Sequence, residues 1–144
     1  MKSGEEVCVS QLVDASIEKV WLALTDLARM KQWYFENIDH FKAEIGSTSQ
    51  FAVNSGDRIF THCWKVIEVD ASEKICYAWK YLEYPGDSVV CFQLKARDGK
   101  TELTLTHTVR EDFPDDIPEF KNESCEAGWN YFLGDRLPAF LKEN

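Results

Sequence analysis

Three histidines, five cysteines and a scatter of carboxylates are the side chains here that could do chemistry. His40, His62 and His107 lie far apart, with no cysteine or carboxylate at zinc-ligand spacing, so no metal is expected. His62 reads as a strand-surface residue. His107 falls on the apolar face of a strand, where a lone imidazole is either a hydrogen-bonded core residue or an acid or base in a pocket. The cysteines, Cys8, Cys63, Cys76, Cys91 and Cys125, are odd in number and form no C-x-x-C. Most sit in apolar strands, so they are expected to be buried and reduced, as in a cytoplasmic protein. Cys125 alone stands near a helix N-terminus, a setting that activates thiols, but its place on an apolar face favours packing. Asp57-Arg58, Glu111-Asp112, Glu44 and Glu68 offer charge without a spacing that makes a site. There is no G-x-S-x-G, phosphate-binding loop or dinucleotide fingerprint, and no cofactor is expected.

The elements that must position these groups are legible in the pattern. The stretch from Asn122 to Lys142 places Cys125, Trp129, Phe132, Leu133, Leu137, Phe140 and Leu141 at spacings of three and four, one face of a long helix. Asn122 is expected to cap it, and Pro138 to kink or end it above Gly134. Ser16 caps a shorter helix striped by Ile17, Val20, Trp21 and Leu24, followed by an aromatic knot, Trp33-Tyr34-Phe35. The rest alternates as strand: 6–13, 38–45, 48–53, 58–70, 74–84, 88–97 and 101–110. Asp98-Gly99 is the strongest hairpin signal, since both central residues of a type I′ turn need positive φ. In the last hairpin Val90, Phe92 and Leu94 face the same way as Leu103, Leu105 and His107, so one sheet face is covered and the other is wet.

Composition narrows the partners. The 144 residues suit one domain, 1–144, and 44% hydrophobic with 13% aromatic content excludes disorder. Sixteen basic against twenty-five acidic residues give a net charge of −9, which disfavours nucleic acid and anionic membranes. The polar, acidic start argues against a secretory signal, and no apolar run approaches membrane-spanning length.

Several of these pieces, in order, carry a family resemblance. They are Val20-Trp21-Leu-Ala-Leu24-Thr25-Asp26 with Trp33, Val66-Ile-Glu68-Val69, Ile75-Cys-Tyr77-Ala-Trp79, and Val90-Cys-Phe92-Gln-Leu94. Thr101-Glu-Leu103-Thr-Leu105-Thr106-His107 and Gly128-Trp129 complete the set. Together they resemble the helix-grip superfamily, also called START-like, birch-pollen-allergen-like or polyketide cyclase-like. Within it the chain is similar to the domain named after the C-terminal half of the activator of heat shock protein 90 ATPase. Asp70, where that family usually has proline, and Pro138 depart from the pattern. The resemblance implies an α+β helix-grip fold, a curved antiparallel sheet of about seven strands wrapped on the C-terminal helix. It supplies no shared catalytic set.

The resemblance also implies a cavity between sheet and helix that holds a small apolar molecule. Its candidate lining is Trp33, Phe60, Trp64, Tyr77, Trp79, Phe92, His107, Trp129 and Phe132. The same rings would equally fill a core. A binder or carrier is the first expectation; a chaperone cofactor and a cyclase or hydrolase acting on an apolar substrate are the alternatives. The activator's other half is not in this sequence, so only weak chaperone stimulation is expected. Between strand and helix, Glu111 to Lys121 holds two prolines and five acids around Phe113, Ile117 and Phe120. Those three are expected to fold inward, as a lid or as a staple for the helix.

Overall fold

The computed structural model describes residues 1–143. Six antiparallel strands form one sheet in the order β1-β6-β5-β4-β3-β2. They are β1 (Glu6–Val13), β2 (Thr48–Ser55), β3 (Arg58–Asp70), β4 (Lys74–Tyr81), β5 (Asp87–Arg97) and β6 (Lys100–Glu111). Helices α1 (Ile17–Thr25) and α2 (Leu27–Trp33) follow β1, and α3 (Asn122–Asn130) and α4 (Leu137–Glu143) end the chain. Among the described residues no helix is long and apolar enough to cross a membrane.

Register decides what meets the helices. Val7 on β1 pairs with His107 on β6, which pairs with Val90 on β5, then Tyr77 on β4 and Val66 on β3. The next rung inward from the β4 end is Ser88, Trp79 and Trp64, and the one after is Tyr81, His62 and Phe51. Because side chains alternate, each rung projects to one face. The hydrogen-bonded turn between β5 and β6 has positive φ at Asp98 (53°) and Gly99 (80°), as the type I′ reading requires.

The sheet has six strands, not seven. The expected strand at 38–45 is irregular. Its buried residues, Ile38 and Phe41, are three apart, while Ile45 is exposed, so the alternation over Phe41, Ala43 and Ile45 did not reflect burial. The segment instead blunts the β2 edge with side chains. Asp39 accepts from Gln50 N–H (3.0 Å), and Asn37 donates to the Ala52 carbonyl. An edge engaged this way cannot pair with another strand. The strand expected to reach Tyr84 stops at Tyr81.

The terminal helix also differs from expectation. Asn122 is its first helical residue rather than its cap, and Lys121 precedes it without a side-chain capping bond. Between α3 and α4, residues Tyr131–Arg136 form a π-helical turn in which Leu137 N–H bonds to the Phe132 carbonyl, five residues back. Pro138 explains the position. It has no N–H for the Gly134 carbonyl and its ring would crowd it, and a widened turn removes the conflict without ending the helix. Trp129, Leu133, Leu137, Phe140 and Leu141 stay buried.

Cys76 and Cys91 correct the reading of the cysteines. They are directly paired across β4 and β5 and joined by a disulfide, with Cα atoms 4.1 Å apart. Since Tyr77 and Val90 face the helices, the bridge lies on the opposite face of the sheet. Cys8 is exposed, and Cys63 and Cys125 are half-buried.

Candidate functional site

A cavity of about 170 Å³ lies between α3 and the β3–β4 part of the sheet. Its apolar walls are Phe35, Trp79, Trp129 and Phe132, and Phe120 closes the end where the chain enters α3. Gly128 lines it from the helix, where an added Cβ would have no atom within 4 Å. A second hollow of about 650 Å³ lies among Lys65, Ile67, Lys80 and Arg110. It is the larger of the two and is lined mostly by polar and charged side chains, whereas the first is lined mostly by aromatic rings.

The polar groups at the cavity are two histidines, a tyrosine, a thiol, a carboxylate, the Ser124 hydroxyl and the Met1 ammonium, which donates to the Phe120 carbonyl (2.7 Å). His107 is fully engaged. Ser88 donates its hydroxyl hydrogen to the Trp79 carbonyl (2.7 Å), so its oxygen accepts from His107 Nε2–H (2.9 Å). Nδ1 therefore carries the lone pair, and it accepts from Trp129 Nε1–H (3.0 Å) and from the Cys125 thiol (3.4 Å). Burial lowers the His107 pKa to about 4. The Cys125 thiol is pushed up to about 12, first by burial, so it is a protonated donor and not a thiolate nucleophile.

His62 is buried on the inner face, which overturns its reading as a strand-surface residue. Its ring stacks on Phe51 with centroids 4.9 Å apart. Nδ1 lies 3.0 Å from the Phe60 carbonyl, which can only accept, so Nδ1 holds the hydrogen and Nε2 the lone pair. Burial lowers the pKa of this ring too, to about 4, against the smaller opposing pull of the Phe60 bond. Tyr81, directly across from His62, accepts from Trp79 Nε1–H (2.8 Å), and burial raises its phenol well above the ordinary range. At the rim, Ser55 donates to Glu119 (2.8 Å) and Arg58 stands 3.6 Å away. The Ser55 bond first, and Arg58 less, hold the Glu119 carboxyl below its usual range.

Of the nine candidate residues, Trp79, His107, Trp129 and Phe132 line this cavity and the others do not. Trp33 is packed under α1, its Nε1–H bonded to the Ala23 carbonyl (2.7 Å) and its ring stacked on Tyr34. Tyr77 exchanges a hydroxyl hydrogen bond with Tyr34 (2.9 Å) inside the core. Trp64 packs among Tyr34, Phe51, Tyr77 and Trp79, and Phe92 lies fully buried beside Tyr77 and Trp129. Phe60 belongs to a second cluster with Val109, Phe113 and Phe120. These five rings fill space that a larger cavity would need.

Sequence reasoning missed Phe35, His62, Tyr81, Cys125 and Gly128 as cavity residues. Gly128 was the readable one, a glycine inside a strong helical pattern. In the segment before α3, Phe113 and Phe120 fold inward and Ile117 is half-buried. The bonds from Glu119 to the β2–β3 hairpin tie this segment down.

The family model described as Activator of Hsp90 ATPase homolog 1-like protein matches residues 14–142. No curated protein matches the chain. Among solved structures, protein CV1439 from Chromobacterium violaceum superposes with a TM-score of 0.80 at 20% identity, covering 96% of this chain and 98% of that one. The Aha1 dimer from Colwellia psychrerythraea superposes at 0.71 and 21% identity, over 93% and 98% of the two chains. DynU16, from the dynemicin biosynthetic locus, superposes at 0.75 and 25% identity, covering 95% of this chain and 47% of that one.

Proposed function

The chain belongs to the Activator of Hsp90 ATPase homolog 1-like family, and on that premise we propose that it binds a small apolar molecule between α3 and the sheet, without transforming it. Gly128 is the observation that carries this. Glycine in a helix interior costs about 0.8–1.0 kcal/mol relative to alanine. Here nothing would collide with a side chain, so close packing does not require the glycine. What its missing side chain leaves is part of the cavity. A dry site of about 150 Å³ accepts benzene, so the volume suits a single ring rather than a sterol or a fused polyketide.

Binding is favoured over catalysis by the proton chemistry. Both histidines are held near pKa 4 and the thiol near 12, far from the neutral range in which a general acid or base works best. Likeness to DynU16 supports a small-molecule role in general terms and no particular reaction. A chaperone partner is the alternative that the family description raises. Saturable, several-fold stimulation of a chaperone ATPase by this chain alone would promote it.

Toluene titration, followed through the indole N–H resonances, tests the binding reading. Trp79 and Trp129 should shift saturably with one-to-one stoichiometry while Trp33 stays still. A linear drift of all five indoles would overturn it.

A further inference from the structure

Two hydrogen-bonding functions on the adjacent strands β3 and β4 at the cavity have no partner among the described residues. His62 Nε2 bears a lone pair, because Nδ1–H is committed to the Phe60 carbonyl, and no described residue donates to it. The side chain is 5% exposed and lines the cavity. Nε2 is not among the side-chain atoms sealed from solvent, so its lone pair is accessible at the cavity. Tyr81 accepts the Trp79 indole hydrogen with its oxygen, and its own hydroxyl hydrogen finds no acceptor among the described residues. The two residues are register partners on β3 and β4, with ring centroids 4.9 Å apart. His107, by contrast, has both nitrogens engaged.

The chemistry of this pair selects a ligand. His62 asks for a donor and Tyr81 for an acceptor. A carboxylate only accepts, and although Met1 with its ammonium also lines the cavity, that ammonium is engaged by the Phe120 carbonyl and the anion would set its charge against the His62 lone pair. An ammonium only donates and would leave the Tyr81 hydrogen unmatched. A hydroxyl does both. The walls of Phe35, Trp79, Trp129 and Phe132 suit an aromatic body, and the volume of about 170 Å³ suits one ring. Resting on the binding function proposed above, we propose that the occupant is a single-ring phenol-type molecule whose hydroxyl donates to His62 Nε2 and accepts from Tyr81. The apolar cavity sets its size; the histidine and tyrosine set its identity.

Phenol and toluene differ by little more than this hydroxyl, so they form the test. With the unmodified protein, phenol should bind saturably, and the ¹⁵N resonance of His62 Nε2 should move upfield as it begins to accept a hydrogen bond. The His107 nitrogens should stay fixed. In Tyr81→Phe and His62→Phe, the ratio of phenol to toluene affinity should fall roughly two- to tenfold for each lost hydrogen bond. The nitrogen measurement needs no variant, so a variant that fails to fold leaves the test intact. Phenol binding with His62 Nε2 unmoved overturns the proposal. So does an Nε2 resonance already at a hydrogen-bonded position before phenol is added, which would mean that water satisfies it. Saturable toluene binding with no phenol binding also overturns it, yet leaves the apolar-binding function standing. If neither molecule binds saturably, that function fails as well.

Discussion

Trp129 on α3 donates its indole N–H to Nδ1 of His107 on β6, 3.0 Å away, and so fastens the terminal helix to the sheet through a buried polar bond. The bond fixes the imidazole as its Nε2–H tautomer, with Ser88 and the Trp79 carbonyl completing the chain. A proton on Nδ1 would face the indole hydrogen directly, so the arrangement requires a neutral ring. Replacing Trp129 by Phe keeps an aromatic body but removes the donor. It should cost on the order of 1 kcal/mol in urea denaturation. An unchanged midpoint would show that the bond contributes nothing.

Acid should loosen this fastening. His62 and His107 have folded pKa values of about 4, below the ordinary value near 6.5. The folded state therefore resists protonation more than the unfolded state does. The associated stability is complete above pH 6.5, declines as pH falls below it, and is gone once pH passes through 4. Each histidine contributes on the order of 3 kcal/mol across that window. Imidazole C2–H resonances of both rings should remain untitrated down to pH 5. A midpoint between 6 and 7 for either ring would contradict the assignment.

Gly86 should tolerate no side chain. Its φ is +120°, and an added Cβ would sit 2.3 Å from the Phe113 ring. Gly86→Ala should destabilise by at least about 2 kcal/mol, through backbone strain and displacement of that ring. Amide exchange should also quicken between Phe113 and Phe120. A neutral substitution would mean that Phe113 does not hold this segment against the sheet.

The helix, the last hairpin and the covered face were legible because each rests on periodicity or local turn chemistry. Ser16 caps α1 as read, and its hydroxyl accepts from Lys19 N–H. The region 38–45 misled because its alternation occurs where Asn37 and Asp39 satisfy the β2 edge through their side chains, a tertiary arrangement with no local signature. The cavity residues were only half legible. Apolar periodicity marks Trp64 and Trp79 alike, and they are register partners; only what packs on them, Tyr34 and Phe51 on Trp64 and Trp129 of α3 on Trp79, places Trp79 at the cavity and Trp64 in the packed core. His62 was misread for a similar reason. Its flanking residues, Thr61 and Cys63, did not distinguish the faces, whereas pairing with Phe51 and Tyr81 does.

The disulfide was hidden because spacing alone cannot show that Cys76 and Cys91 are register partners. Alkylation under denaturing, non-reducing conditions should modify Cys8, Cys63 and Cys125 and leave the other two unmodified. Reduction should lower stability by about 3 kcal/mol, the loop-entropy expectation for a closure of about 15 residues. Five alkylated cysteines without reductant would contradict the bridge.

Gly128 provides the most direct measurement of the central claim, that the space beside α3 is a binding cavity. Gly128→Leu adds a side chain into open space and removes a helix-breaking residue, so the variant should fold and resist heat at least as well as the parent. Toluene titrated into both proteins by calorimetry should give a saturable one-to-one isotherm with the parent and none with the folded variant. Equal binding to both proteins would place any apolar site elsewhere and contradict the account.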